Sequence, residues 1–154
     1  MWFNTNKFVN CLSLKNQKSE NLPSNIAEFF PNLIALEWTN TSLQTLSFND
    51  MQQFSKLQVF IASGNEISNL DSDVFSSTRH LKSINFNDNL LTSIGTNLLS
   101  DLDDLTMVEF LNNPCVNATT SSRQAVRNLD QKLPTFCSSS KTTSGKKTII
   151  IFFP

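Results

Sequence analysis

Residues 81–91 read LKSINFNDNLL, and residues 57–67 read LQVFIASGNEI. Aligned, they place Leu57 over Leu81, Phe60 over Ile84, Ala62 over Phe86, Asn65 over Asn89 and Ile67 over Leu91, always 24 residues apart. Stepping outward by 24 finds Leu33, Leu36, Trp38, Thr41 and Leu43 on one side. On the other side stand Leu105, Val108, Phe110 and Asn113. A weaker first unit holds Val9, Leu12, Leu14 and Gln17. The agreement continues through Leu22, Leu46, Leu70 and Ile94, then Ala27, Met51, Phe75 and Leu99. A further series reads Phe30, Phe54, Thr78 and Leu102, where Thr78 is the one break.

Two of the apolar positions in each unit, such as Ile84 and Phe86, alternate with mostly polar neighbours. That is the two-residue period of a strand rather than the 3.6-residue period of a helix. The spacing predicts short strands within 11–15, 35–39, 59–63, 83–87 and 107–111, stacked in parallel as one curved sheet. An isolated unit cannot bury its apolar side, so each needs a neighbour and the ends need caps. The Asn at the end of each strand is placed to satisfy buried backbone groups where the chain turns away. Asn65, Asn89 and Asn113 complete this ladder, while Gln17 and Thr41 replace it in the first two units, where looser order is expected. Phe30, Phe54 and Phe75 are expected to fill the convex side.

The L-x-x-L-x-L-x-x-N-x-L pattern over residues 9–113 resembles the leucine-rich repeat family. The resemblance implies an α/β solenoid with a short-stranded parallel concave sheet, an irregular convex side and a C-terminal helical cap. Residues 1–137 form the repeat domain, with repeats from about 9, 33, 57, 81 and 105 and a cap over 113–137. Ala125, Val126, Leu129 and Leu133 predict a helix over 121–133, with Ser122 as its N-cap and Pro134 at its end. The chain resembles extracellular members of the family, in particular secreted arthropod proteins, in its Phe29-Phe30-Pro31-Asn32-Leu33 and Ile94-Gly95-Thr96-Asn97-Leu98-Leu99 runs. Extracellular caps usually hold four Cys after Asn-Pro-Trp; here Asn113-Pro114-Cys115 opens the cap and Cys137 closes it. The resemblance implies a Cys115–Cys137 disulfide across the helix; two free buried thiols are the other reading of these residues. Cys11 is left over, either as a free thiol or as half of a pair with a cysteine upstream of Met1.

Compartment and partner class follow from composition. No apolar run reaches the roughly 20 residues of a membrane helix, and Met1-Trp2-Phe3-Asn4 lacks the features of a secretory leader. Asn40-Thr41-Ser42 and Asn117-Ala118-Thr119 are glycosylation sequons in turn or cap positions, which fits an extracellular setting. Residues 1–137 hold nine Lys and Arg against thirteen Asp and Glu, a formal charge of −4, so nucleic acid is an unfavoured partner. Residues 138–154, rich in Ser, Thr and Lys and ending Ile149-Ile150-Ile151-Phe152-Phe153-Pro154, read as a disordered tail with a short apolar end.

Catalytic chemistry is not expected. His80 is the only histidine, Asp101, Asp103 and Asp104 lack a calcium-loop spacing, and the three glycines are isolated. No enzyme activity, cofactor or metal is expected. What remains is the outward row of strand residues, which packing does not dictate. Glu37, Val59, Ile61, Ser63, Asn85, Asn87, Met107, Glu109 and Leu111 are the candidate partner-binding residues. The expected function is extracellular recognition of a protein ligand or receptor through the concave face. The alternatives are a structural role, pairing with another repeat chain or as a dimer, and a truncated receptor ectodomain.

Overall fold

The computed structural model describes residues 6–138 and 151–152. In chain order the elements are β1 (Cys11–Lys15), α1 (Ile26–Phe29), β2 (Ala35–Thr39), α2 (Phe48–Met51), β3 (Val59–Ile61), β4 (Asn69–Leu70), β5 (Ser83–Asn85), β6 (Ser93–Ile94), β7 (Met107–Glu109), β8 (Ala118–Thr120), α3 (Arg123–Phe136) and β9 (Ile151–Phe152). Strands β1, β2, β3, β5 and β7 lie side by side in that order, all parallel. Their register is the sequence repeat itself: Leu12 faces Leu36, Leu36 faces Phe60, Phe60 faces Ile84, and Ile84 faces Val108. The last three repeat strands are three residues long rather than five.

Inward strand residues build the core as the alternation requires. Ile84 and Phe86 are fully buried. Phe60, Phe86 and Phe110 stack along the solenoid with ring centroids 5.7 and 5.9 Å apart, and Phe75 reaches Phe86 from the opposite wall at 6.1 Å. Phe54 and Phe75 are buried, and Phe30 is half-buried. Thr78, the break in the aromatic series, is also fully buried. Its hydroxyl donates to the Phe75 carbonyl at 3.1 Å, so the polar atom is satisfied locally. The wall facing the sheet is less irregular than expected, because β4 and β6 pair in parallel. Gly95 follows β6, and a Cβ there would stand 2.3 Å from the Ser72 amide nitrogen, so the close approach of adjacent turns requires glycine.

The asparagine ladder holds successive units together. Asn65 Nδ2 donates to the carbonyls of Ala62 and Ser63 in its own unit and of Trp38 in the preceding one. Its Oδ1 accepts from the Thr41 and Leu43 amides. Asn89 repeats the pattern on Phe86, Asn87 and Ala62, and accepts from Ile67. Asn113 does so on Phe110, Leu111 and Phe86, and accepts from Leu91. Thr41 joins the ladder through its hydroxyl, 2.9 Å from Asn65 Oδ1. Gln17 is exposed, and Leu12 and Leu14 of the first unit are only half-buried.

The C-terminal end is closed by three features. Strand β8 runs antiparallel to β7, the one antiparallel pairing of this sheet among the described residues, and is an element the repeat pattern does not announce. The Thr120 hydroxyl serves that junction by accepting from the Val108 amide and donating to the Thr106 carbonyl. Helix α3 then covers the core with Val126, Leu129 and Leu133, and Cys137 is bonded to Cys115. Cys11 is exposed and free. The expected helix bounds need correction. Ser122 is the N-cap and accepts from the Ala125 amide, but Pro134 lies inside the helix, which runs to Phe136. Proline removes its own N–H and crowds the carbonyl four residues earlier, and both effects fall at the C-terminal end of this helix. The final turn survives through the Cys137 amide bonded to the Leu133 carbonyl and through the disulfide.

Beyond the cap, β9 pairs in parallel with β8. The expected disordered tail otherwise lies outside the described residues after Ser138, as does Met1-Trp2-Phe3-Asn4. No helix among the described residues is long and apolar enough to cross a membrane.

Two outcomes test this packing by chemical denaturation. Phe86→Ala removes the ring shared by three aromatic contacts and should destabilise by about 3–5 kcal/mol. Asn89→Ala orphans buried groups of two units and should cost about 1–3 kcal/mol. A third outcome concerns Asp130, whose burial raises its carboxyl above the usual range, against the Leu99 amide it accepts from and the nearby Arg123 guanidinium. The native chain therefore holds this proton more tightly than the unfolded chain, and stability falls as pH rises through the raised value. Asp130→Asn keeps an acceptor for the Leu99 amide. In thermal melts from about pH 4 to pH 8 it should remove part of that decline and melt higher than the native chain at neutral pH.

Candidate functional site

Strand alternation that buries Leu36, Phe60, Ile84 and Val108 turns their neighbours outward, so the candidate residues share the concave face by construction. The parallel register sets Glu37, Ile61, Asn85 and Glu109 in one row across β2, β3, β5 and β7. Val59, Ser83 and Met107 form a second row. Ser63, Asn87 and Leu111 lie just beyond the strand ends, on the side where the chain turns away. Of the apolar members only Met107 is exposed, at 45%. Val59, Ile61 and Leu111 face outward but are half-buried. Ile61 lies between Glu37 and Asn85, whose side chains narrow the surface expected there.

Two carboxylates organise the face. Glu37 Oε1 meets Lys15 Nζ at 2.8 Å and accepts from the Thr39 hydroxyl at 3.3 Å, and its Oε2 accepts from the Ser13 hydroxyl at 2.9 Å. The hydrogen bond from the Lys15 ammonium holds the Glu37 carboxyl below the usual range against its partial burial, with the two hydroxyls adding to the effect. Glu109 Oε2 accepts from Asn85 Nδ2 at 2.7 Å and Asn87 Nδ2 at 2.8 Å. Both amides are fixed in orientation, because Asn85 Oδ1 accepts from the Asn87 amide and Asn87 Oδ1 from the Leu111 amide. Ser13, Lys15 and Thr39 were not among the expected site residues. Their signal was the register alone, which sets Ser13 beside Glu37 one unit away.

The rim of the face holds a feature that the apolar pattern does not show. Asn16, Asn40, Gly64, Asp88 and Asn112 occupy the same place in the five units, and all have φ between 53° and 65°. Gly, Asn and Asp are the residues that best tolerate this left-handed conformation, so the signal was present as a column of those three types. Side chains bridge units along this rim: Asn40 Nδ2 donates to Asn16 Oδ1, and Asn112 Nδ2 donates to Asp88 Oδ1. Asn40 of the first sequon is exposed on this rim. Asn117 of the second is half-buried, and its Oδ1 accepts from the Asn112 amide.

Features set aside as chemistry remain apart. His80 is exposed and 3.9 Å from the Asp104 carboxylate, and Asp103 pairs with Arg123 at 3.2 Å. No cluster of potential metal ligands occurs among the described residues.

No protein-family model and no curated protein matches this chain. Solved structures do. The Toll chain of the Toll–Spatzle complex of Drosophila aligns over 75% of this chain and 15% of its own length, with a TM-score of 0.68 and 23% identity. A glycosylated form of that complex gives the same score and identity. The TLR13–ssRNA13 complex aligns over 66% of this chain and 14% of its own, with a TM-score of 0.59 and 25% identity. The chain therefore spans about a seventh of the length of these neighbours, and its fold is that of the leucine-rich repeat. The neighbours are ectodomains, one captured with Spatzle and the other with ssRNA13.

Replacing Lys15 by Met should return the Glu37 carboxyl toward its usual titration range, since the two hydroxyls remain but the ammonium does not. Side-chain carboxyl NMR across acid pH reads this directly.

Proposed function

We propose that this chain is a non-enzymatic extracellular recognition module that binds a protein partner through its concave face. The observation that carries the reading is the contrast between the two sets of strand positions. Every inward residue is accounted for by the core. The outward set of Glu37, Val59, Ile61, Ser63, Asn85, Asn87, Met107, Glu109 and Leu111 presents carboxylates, amides and apolar side chains that the packing of the core does not dictate.

Of the two ligand classes held by the neighbours, protein fits this face better than RNA. Its carboxylates Glu37 and Glu109 would face phosphates, and its cation Lys15 is already paired with Glu37. An extracellular location is supported by the Cys115–Cys137 bond and by the similarity to ectodomains. In that compartment Asn40, exposed on the rim, and Asn117, in the cap, are the glycan acceptors. Assembly with another repeat chain is the second reading. It is favoured by the open edge of β1, which has no neighbour on its outer side among the described residues, and by Phe8, exposed at 97%.

A photo-cross-linking side chain placed at Met107, compared with one at the exposed Asn69 on the opposite wall, tests the proposal. With the source's extracellular fluid, covalent adducts of a foreign protein should form at position 107 and not at 69. Ile61→Lys should abolish them without lowering the melting temperature. Adducts of the chain with itself would support the assembly reading, and equal labelling at both positions would end the concave-face proposal.

A further inference from the structure

Glu37 and Glu109 occupy the same place in their units, 72 residues apart, and each is served from the unit before it. The residue 24 positions earlier is Ser13 for Glu37 and Asn85 for Glu109, and both donate to the carboxylate. The residue 22 positions earlier is Lys15 for Glu37 but Asn87 for Glu109. One arrangement therefore contains its cation, and the other replaces it with a neutral amide. Among the described residues Glu109 has no ion pair. Both of its amide donors converge on Oε2, and Oε1 accepts no hydrogen bond from the described residues. The amides cannot turn to offer oxygen instead, because backbone N–H groups hold their oxygens.

We propose that Glu109 is the recognition point for an arginine of the protein partner, whose guanidinium meets the open Oε1 and supplies the positive charge that Lys15 supplies at Glu37. This rests on the concave-face reading and specifies the chemistry of its ligand. A guanidinium suits the site because several of its donors can face the one open oxygen of a carboxylate fixed in orientation. Met107, exposed on the same strand two residues away, offers a flexible apolar surface for the arginine stem. Val59 and Ile61 lie two strands from Glu109, at about 10 Å. An extended segment with an apolar side chain two residues from its arginine spans both contacts.

The test is an NMR titration of the full chain with acetyl-Leu-Ser-Arg-amide and with the same peptide carrying citrulline, the neutral isostere of arginine. The arginine peptide should bind about fivefold more tightly at low salt, the scale of a partly exposed ion pair. It should move the side-chain amide signals of Asn85 and Asn87. Glu109→Gln and Asn87→Lys should each erase the preference, the second by supplying the cation internally, whereas Glu37→Gln should keep it. Equal binding of both peptides at the Val59, Ile61 and Met107 methyl groups would overturn the role of Glu109 and leave the concave-face reading standing. A preference that survives Glu109→Gln would also overturn it. Absence of shifts on the concave face with either peptide would count against both.

Discussion

In the last three units of this solenoid the repeat strand leads into a turn whose carbonyl and amide groups are buried, and one asparagine side chain per unit satisfies them. An amide suits the task because it donates and accepts at once. Asn65, Asn89 and Asn113 each bond to carbonyls of two successive units and accept from an amide of the earlier one. The contact fixes both the turn and the distance to the neighbour, so the 24-residue period of the sequence becomes the register of the sheet.

Once the register is set, the core follows. Inward positions meet their counterparts 24 residues away, and a column of large side chains fills the interior from Phe60 through Phe86 to Phe110. The solenoid is asymmetric at its ends. Helix α3, strand β8 and the Cys115–Cys137 bond cover the last unit, and Asp130 and Arg123 tie the cap helix to Leu99 and Ser100. At the other end, among the described residues, Leu12 and Leu14 pack against one neighbouring unit and are half-buried.

The same register that buries one set of residues assembles the other. Residues 22 and 24 apart become hydrogen-bonding neighbours on the concave face, which makes local networks around Glu37 and Glu109 out of side chains that look unrelated in the sequence. These networks draw charge and hydrogen-bonding capacity into fixed places. They leave Met107 exposed, while Val59, Ile61 and Leu111 are partly covered.

The sequence by itself determined the repeat period, the five parallel strands, the buried positions of the later units and the ladder. These are imposed by periodic burial and by one obligatory amide, and both leave residue types in a column. The sequence left Cys115 and Cys137 open between a bond and two free thiols. Gly64 and the asparagines and Asp88 of the rim column carry a signal of the same kind, in residues that tolerate positive φ. Tertiary structure alone decided the rest. The reversed strand β8 has no periodic counterpart to reveal it, and the Val108 amide bonded to the Thr120 hydroxyl exists only once β7 is the sheet's last repeat strand. Pro134 reads as a helix stop in isolation but is accommodated because the final turn is held by Cys137 on both its amide and its sulfur. Which carboxylate of the concave face is neutralised depends on the reach and orientation of side chains from the adjacent unit. A linear pattern of polar and apolar letters does not contain that information.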